Sequence, residues 1–295
     1  MAKLPDSSKL ALIALALLAF AGNSLLARVA LKSGAIDAAS FTSVRLLSGA
    51  FTLCSLVWLQ QRGASPALQL KTLPGDRWSA FALFAYAALF SLAYLHMSAA
   101  TGALMLFGAV QTTMIAWGVY QGERLRGLQW AGFALAVTGL TVLMLPGLAA
   151  PSLADSAAML GAGVAWGAYS LRGKRRSADQ ASPTAVTAGN FVRATPMALA
   201  ASVLTLAYTH VTTSGVLYAI ASGALMSGIG YAIWYRVLPT LQATHAATVQ
   251  LIVPLLAALG GVLLLGEAAT WLMALCGLSI MAGIGLVIWD KPKPI

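Results

Sequence analysis

The chain has 295 residues, of which 59% are hydrophobic and only 9% are charged, and its formal net charge at pH 7 is +10. Because soluble chains carry about a quarter charged residues, this composition leaves too little polar surface to cover a globule in water. It therefore excludes a cytosolic enzyme and a secreted disulfide protein, and it indicates a protein whose solvent is lipid.

Ten apolar segments follow one another along the chain. A helix crosses a bilayer with about 20 apolar residues. These runs are long and do not alternate with period two, as the strands of a membrane barrel would. The predicted transmembrane helices lie at residues 9–32, 37–59, 78–96, 99–121, 127–146, 156–173, 184–208, 214–235, 242–264 and 269–289.

The ten segments form two sets of five that correspond at a constant shift in residue number. Arg28 corresponds to Arg172, and Glu123 corresponds to Glu267. Further pairs at the same shift are Ala99 with Ala243, Ala103 with Ala247, Leu128 with Leu272 and Gly139 with Gly283. An odd number of spans per repeat inverts the second copy in the membrane. We therefore predict an all-α integral membrane protein with ten transmembrane helices in two inverted five-helix repeats, residues 1–148 and 149–295, which together form one transmembrane domain.

Positive charges are concentrated on one side of the predicted membrane. If the N-terminus is cytoplasmic, most of the 18 lysine and arginine residues fall in the two tails and the even-numbered loops. This distribution follows the positive-inside rule and predicts a multi-pass inner-membrane protein with both termini in the cytoplasm. The basic run at 172–176 is better explained by anionic lipid headgroups than by nucleic acid.

Signatures of catalysis and metal binding are missing from the sequence. His96, His210 and His245 have no second ligand at i+3 or i+4, and Cys54 and Cys276 lie inside apolar segments without CxxC spacing. The sequence also lacks a Gly-rich phosphate loop, HExxH and GxSxG, so convergent catalytic groups are not indicated. We therefore expect no enzyme activity, no metal and no cofactor.

The acidic residues all fall in loops or at the ends of predicted spans. The ionisable groups expected at depth are Arg28, Arg45 and Arg193, and arginine does not release its proton. Proton-driven carriers usually keep a titratable group in the membrane. The pattern favours a facilitator or an exchanger over a proton-coupled carrier.

The matched acids Glu123 and Glu267 are expected to be structural, as helix caps or as partners of Arg124 or Arg126. The matched arginines Arg28 and Arg172 are expected to anchor lipid headgroups.

Several short motifs resemble the drug/metabolite transporter superfamily, and the resemblance covers essentially the whole chain. In the second repeat they are the segment 230–238, Ala243, Ala246-Ala247-Thr248, Val253-Pro254, Leu265-Gly266-Glu267, Gly277 and Gly283. In the first repeat they are the segment 97–100, Ala103, Gly122-Glu123, Gly132 and Gly139. The chain departs from the family at Val110-Gln111, where the first repeat often has an acid followed by proline.

This resemblance implies a ten-helix carrier with a central cavity lined mainly by helices one, three, four, six, eight and nine. Within the superfamily, the chain is most similar to the bacterial aromatic amino-acid exporters.

Aromatic and amide side chains in the predicted spans are the candidates for binding a flat substrate. Tyr86, Phe90 and Tyr94 share one face of the third helix at i, i+4 and i+8. Such rings can stack on a substrate, although Tyr and Trp also collect at membrane interfaces. Amides in lipid need partners and can bind substrate or join helices. The candidate substrate-binding residues are Asn23, Tyr86, Tyr94, Gln111, Trp166, Tyr169, Tyr231, Trp234 and Gln250.

We expect a membrane transporter, an exporter or facilitator, for small organic solutes such as aromatic and other neutral amino acids. It would work by alternating access around the cavity. One alternative is another metabolite or a drug of the same superfamily, and a second is a non-transporting membrane scaffold. The expected partners are a small-molecule substrate and membrane lipids, with no nucleic acid.

Overall fold

The computed structural model describes residues 6–61, 73–122, 124–145, 151–176, 182–238, 241, 249–268 and 270–289. The regular elements within these ranges are helices, apart from one isolated β-bridge between Ile36 and Val211. The helices are α1 (Asp6–Lys32), α2 (Ala38–Gln61), α3 (Arg77–Ala93), α4 (Ala99–Tyr120), α5 (Gly127–Leu143), α6 (Leu153–Arg176), α7 (Pro183–Leu204), α8 (Thr213–Val237), α9 (Ile252–Leu265) and α10 (Trp271–Trp289).

Among the described residues, five helices are long and apolar enough to cross a membrane: α1, α2, α4, α8 and α10. Three shorter apolar helices are α3, α5 and α9. Large aromatic side chains near helix ends, such as Trp78, Tyr120 and Trp271, are more than two-thirds exposed, as expected for residues at a membrane interface. The all-helical membrane architecture is confirmed, whereas the ten-span count and the two-repeat organisation stay predictions.

The helix ends differ from the predicted spans where capping residues intervene. The third span was expected to reach residue 96, but α3 ends at Ala93, because the chain turns there before Ser98 caps α4 through the N–H of Thr101. Side-chain capping of this kind satisfies an otherwise unpaired backbone donor. The first part of the ninth predicted span, residues 242–248, lies outside the described residues, and α9 begins at Ile252.

Two groups of loops define the two ends of the bundle. One end, called the Asp37 end, contains residues 33–37, 94–98, 205–212 and 266–268. There the N–H of Asp37 donates to the carbonyl of His210 at 2.8 Å. At the Asp76 end, which contains residues 73–76, the carboxylate of Asp76 caps α3 through the N–H groups of Trp78 and Ser79. These contacts hold the loops against the helix ends.

Helix α8 has an irregular centre that lies against α2. Its residues Ala221–Ile229 form a π-helix between two α-helical segments. A Cβ atom on Gly223 would overlap the backbone carbonyl of Arg45, and one on Gly228 would press on Thr52. The two backbones touch here, so there is no room between α2 and the π segment for a side chain at Gly223. π-Helical turns are rare and frequently occur at functional sites.

Replacing Gly223 with alanine should test this contact. Gly223→Ala should lower the free energy of unfolding by about 1–3 kcal/mol, the usual cost of overpacking. The matched control is Gly285→Ala in α10, where a new Cβ meets no described atom within 4 Å. There, alanine should be neutral or stabilising by roughly 0.5–1 kcal/mol. Melting temperatures of the purified variants in detergent measure both effects, and equal stability of the two variants would contradict the close packing.

Candidate functional site

Aromatic rings from three helices stack on one another, with Tyr86, Tyr169 and Tyr231 buried and Trp166 partly buried. The ring of Trp166 in α6 lies 5.3 Å from that of Tyr231 in α8, at an interplanar angle of 24°. The same indole stacks on Tyr169 at 5.4 Å and 25°, and it contacts Tyr86 of α3 at 4.8 Å. Rings at such distances attract one another through offset stacking and edge contacts. We call Tyr86, Trp166, Tyr169 and Tyr231 the ring stack.

A stripe along α3 extends the ring stack towards the Asp37 end. Tyr86 contacts Phe90 at 5.5 Å, and Phe90 contacts Tyr94 at 4.7 Å. The spacing of one ring per helical turn therefore places the three rings on one face. Tyr94 is fully buried, and its hydroxyl donates to the carbonyl of Ala99 at 3.4 Å. It packs inside the bundle rather than at the outer surface.

Phe20 of α1 extends the ring stack in another direction. Its ring lies 5.7 Å from Tyr231 and 5.8 Å from Trp234, both in α8. Phe191 of α7 meets Tyr231 edge-on at 6.1 Å. Tyr231 and Trp234 are buried, so these aromatic side chains face other helices. Sequence reasoning missed Phe20 and Phe191, because an isolated phenylalanine in an apolar span looks like any lipid-facing residue.

Arg45 of α2 lies at the edge of the ring stack and is only 2% exposed. Its Nη2 donates to the hydroxyl of Tyr86 at 3.0 Å, and its Nε donates to Oγ of Ser227 at 3.4 Å. The guanidinium carbon is 5.2 Å from the ring centroid of Tyr86 and 4.9 Å from that of Phe90, within the range of cation–π attraction. Nη1 is buried and has no hydrogen-bond partner among the described residues.

Asn23 connects three helices beside Arg45. Its Oδ1 accepts a short hydrogen bond from Ser222, and its Nδ2 donates to Ser227 at 3.4 Å. Both serines belong to the π segment of α8 and are fully buried. The network therefore runs from α1 through α8 to Arg45 of α2. The two serines were not predicted, because hydroxyls that bond locally are common in membrane helices.

The two glutamines predicted for the site do not join this network. Gln111 is buried in α4 and Gln250 is half-buried just before α9, yet the side chain of neither hydrogen-bonds to Asn23, Ser222, Ser227 or Arg45. Asn190 of α7 does contact the ring stack, because its Nδ2 donates to the hydroxyl of Tyr169 at 3.4 Å. Its Oδ1 accepts from the N–H of Asp76 at 3.1 Å, which links the ring stack to the Asp76 end.

A buried ion pair crosses the bundle at the Asp37 end. Nε of Arg28 donates to Glu267 at 2.9 Å, and the side chains are 8% and 6% exposed. The second carboxylate oxygen accepts from the N–H of Ala99 at 2.8 Å. The expected structural role of Glu267 is confirmed, since its carboxylate binds the first N–H of α4 and an arginine, but that arginine is Arg28 rather than Arg124 or Arg126. The prediction that Arg28 anchors headgroups is wrong. The loop between α9 and α10 brings Glu267 to the end of α1, although Glu267 and Arg28 are 239 positions apart in the sequence.

Arg172 also contacts an acid of the protein, but its side chain stays 42% exposed, so its anchoring of headgroups stays a prediction. Its Nη2 donates to Asp76 at 2.8 Å and its Nε to Ser79 at 3.3 Å. Partial burial of Asp76 acts to raise its pKa. The hydrogen bonds from Ser79 and Arg172 outweigh that effect and lower the pKa of Asp76 to about 2. The carboxylate is therefore ionised at neutral pH. Glu123, the predicted counterpart of Glu267, lies outside the described residues.

Arg193 holds the loop that precedes α3. It donates to the carbonyls of Gly189 and Leu73, each at 2.8 Å. This arrangement leaves Arg193 occupied by backbone oxygens at the Asp76 end.

A separate cavity of about 330 Å³ lies between α4, α9 and α10. Its lining is almost entirely aliphatic, and its acid, Glu267, already binds Arg28. Binding sites usually combine apolar surface with a few convergent polar groups. The ring stack with Arg45 and Asn23 fits that description better. The described residues contain no group of three or more His, Cys, Asp or Glu side chains placed to hold a metal ion.

Comparison with known proteins gives related sequences and a related fold. A profile of the EamA-like transporter family matches residues 156–289. An uncharacterized protein of Pseudomonas aeruginosa is 50% identical over 97% of this chain and 96% of its own length. A probable amino-acid metabolite efflux pump of Escherichia coli is 28% identical over 75% of this chain and 77% of its own. A protein crystal structure has a TM-score of 0.66 at 20% identity, over 95% of this chain and 97% of that one, which shows the fold alone.

The buried ion pair should contribute strongly to stability. Glu267→Gln leaves Arg28 without a counter-ion, and breaking a buried pair typically costs about 3–5 kcal/mol. The control is Asp155→Asn, because the partner of Asp155 is His96, whose side chain is 72% exposed, although Asp155 itself is 12% exposed and also accepts from Ser152. A pair with one exposed partner is screened by solvent, and its loss should cost on the order of 1 kcal/mol. Thermal unfolding in detergent measures both variants. A Glu267→Gln variant no less stable than Asp155→Asn would contradict the role assigned to the Arg28 pair.

Proposed function

Since this chain belongs to the EamA-like transporter family of the drug/metabolite transporter superfamily, we propose that it exports aromatic and other neutral amino acids and related small solutes. The observation that carries this proposal is the ring stack, in which Trp166 lies against Tyr86 and Tyr231 beside buried polar groups. Flat rings favour flat aromatic side chains, while hydroxyl and indole N–H groups supply directional contacts.

The named relative supports an amino-acid-related substrate. The Escherichia coli protein is described as a probable amino-acid metabolite efflux pump, and we extend that class of substrate to this chain as a proposal. The proposed setting is the inner membrane, with both termini in the cytoplasm, as the distribution of lysine and arginine predicts.

Alternating access would follow from the way the ring stack is assembled. Tyr86 comes from the proposed first repeat, residues 1–148, whereas Trp166, Tyr169 and Tyr231 come from the second, residues 149–295. Rocking of one repeat against the other would therefore separate the rings and open the site to one side at a time. In the present structure the rings are in contact with one another.

Gradient-driven transport is the proposed energy source. The charged group beside the ring stack is an arginine, Arg45, and not a carboxylate. Glu267 is held by Arg28 and by the N–H of Ala99 at the Asp37 end of the bundle. The proposal is therefore a facilitator or exchanger rather than a carrier with a proton-releasing acid in its site.

Removal of single rings should impair transport. Tyr86→Ala and Trp166→Ala should each raise the half-saturation constant for tryptophan and phenylalanine about tenfold or more, because the substrate is bound more weakly. Each lost ring contact is worth on the order of 0.5–1.5 kcal/mol in addition to buried area. Uptake of radiolabelled substrate into proteoliposomes measures this change. The matched control is Trp130→Ala in α5, whose side chain is half exposed on the outer surface and which should transport normally.

The same liposomes test the substrate class and the energy coupling. Threonine and a cationic dye serve as non-aromatic and cationic probes, each with and without a pH gradient. Flux that is unchanged by the gradient supports a facilitator, and uptake driven by a proton gradient alone would overturn that part. Dye flux without amino-acid flux would identify a drug carrier. No flux of any probe, from protein that is correctly folded, would favour a membrane scaffold.

A further inference from the structure

Arg45 carries a buried charge for which the described residues supply no carboxylate partner. Arg28 binds Glu267 and Arg172 binds Asp76. Arg193 lies against two backbone carbonyls. Arg45 instead has the neutral hydroxyls of Tyr86 and Ser227, and its Nη1 is left without a partner in the described part of the chain.

This arrangement is costly unless the cation has a role. Burying a charge without a counter-ion is strongly unfavourable, and neutral hydroxyls and ring faces compensate for only part of that cost. An unsatisfied buried polar atom in a well-packed interior calls for an explanation. A purely structural residue at this position could be aliphatic, since the surrounding contacts are mostly apolar.

The position of Arg45 points to a ligand. Tyr86 accepts from its Nη2 and at the same time packs against Trp166 of the ring stack. The contact between Gly223 and the backbone carbonyl of Arg45 fixes this part of α2 against the π segment of α8. The guanidinium, bonded to the hydroxyls of Tyr86 and Ser227, thus lies beside the aromatic surface on which a substrate ring would stack. Guanidinium is also the side-chain group best suited to bind a carboxylate through two parallel hydrogen bonds.

We propose that Arg45 binds the carboxylate of the substrate while the ring stack holds its aromatic group. This inference rests on the proposed function and narrows it. Nothing in the described network is an acid that could receive an ammonium group, and Oδ1 of Asn23 is already bonded to Ser222. The recognised class is therefore aromatic monocarboxylates, of which aromatic amino acids form one subset.

Three probes that share a phenyl ring distinguish the contribution of the substrate's carboxylate from that of its amine. L-Phenylalanine has both groups, 3-phenylpropionate has only the carboxylate, and 2-phenylethylamine has only the amine. Binding to the purified full-length protein is measured by calorimetry in detergent. Phenylpropionate should bind about as well as phenylalanine. Phenylethylamine should bind at least about tenfold more weakly, because it lacks the charge-assisted hydrogen bonds.

Substitution of Arg45 should remove this preference. Arg45→Gln should bind phenylalanine and phenylpropionate at least about tenfold more weakly and no better than phenylethylamine. Arg45→Lys should be intermediate, because it keeps the charge but loses the planar fork. The matched control is Arg77→Gln at the exposed start of α3, which should bind all three probes like the unmodified protein. If Arg45→Gln does not fold, the affinities of the three probes for the unmodified protein test the proposal by themselves.

The outcomes separate this inference from the proposed function. Equal affinity for phenylethylamine and phenylpropionate would overturn the role of Arg45 and leave aromatic transport intact. The same conclusion would follow if Arg45→Gln kept the preference for carboxylates. Absence of binding and flux for all three aromatic probes, with folded protein, would instead overturn the proposed function itself.

Discussion

Close backbone contact between α2 and the π segment of α8 is the constraint on which the interior depends. Gly223 allows the two helices to meet at the carbonyl of Arg45. That contact places Ser222 and Ser227 within reach of Asn23 and of the Arg45 guanidinium. In a lipid environment, polar groups that lack water must find partners inside the protein. The irregular helix supplies those partners at the same level as the aromatic rings.

Two ion pairs connect the proposed repeats at opposite ends of the bundle. Arg28 of the first repeat binds Glu267 of the second, and Arg172 of the second binds Asp76 of the first. The two arginines occupy corresponding positions in the sequence, yet their acids do not correspond. The pair at the Asp37 end is buried, while Arg172 is 42% exposed. The two ion pairs therefore differ in how far they are shielded from solvent.

The ring stack and Arg45 combine two kinds of recognition in one place. Stacked rings select for a flat apolar group but tolerate many of them. A fixed guanidinium selects for an anionic oxygen pair through geometry as well as charge. If both act as proposed, the site would accept many aromatic groups but would require an anionic group beside them. The aliphatic cavity beside α9 offers neither element.

The sequence by itself determined the features that depend on local spacing and composition. Long apolar runs predicted the helices, and the i, i+4, i+8 spacing placed Tyr86, Phe90 and Tyr94 on one face of α3, as the ring contacts confirm. Most of the aromatic side chains chosen from the sequence also meet in the ring stack. Their role in binding substrate stays a prediction.

Only the tertiary structure decided which polar groups meet. Sequence placed Arg28 at the headgroups and gave Arg45 no role, whereas the fold pairs Arg28 with Glu267 and leaves Arg45 beside the rings without a counter-ion. It also separated Gln111 and Gln250 from the network that Asn23 joins. The physical reason is that helical periodicity is local. The rotation and approach of two helices depend on contacts between distant residues, such as Gly223 with Arg45, that no local pattern encodes.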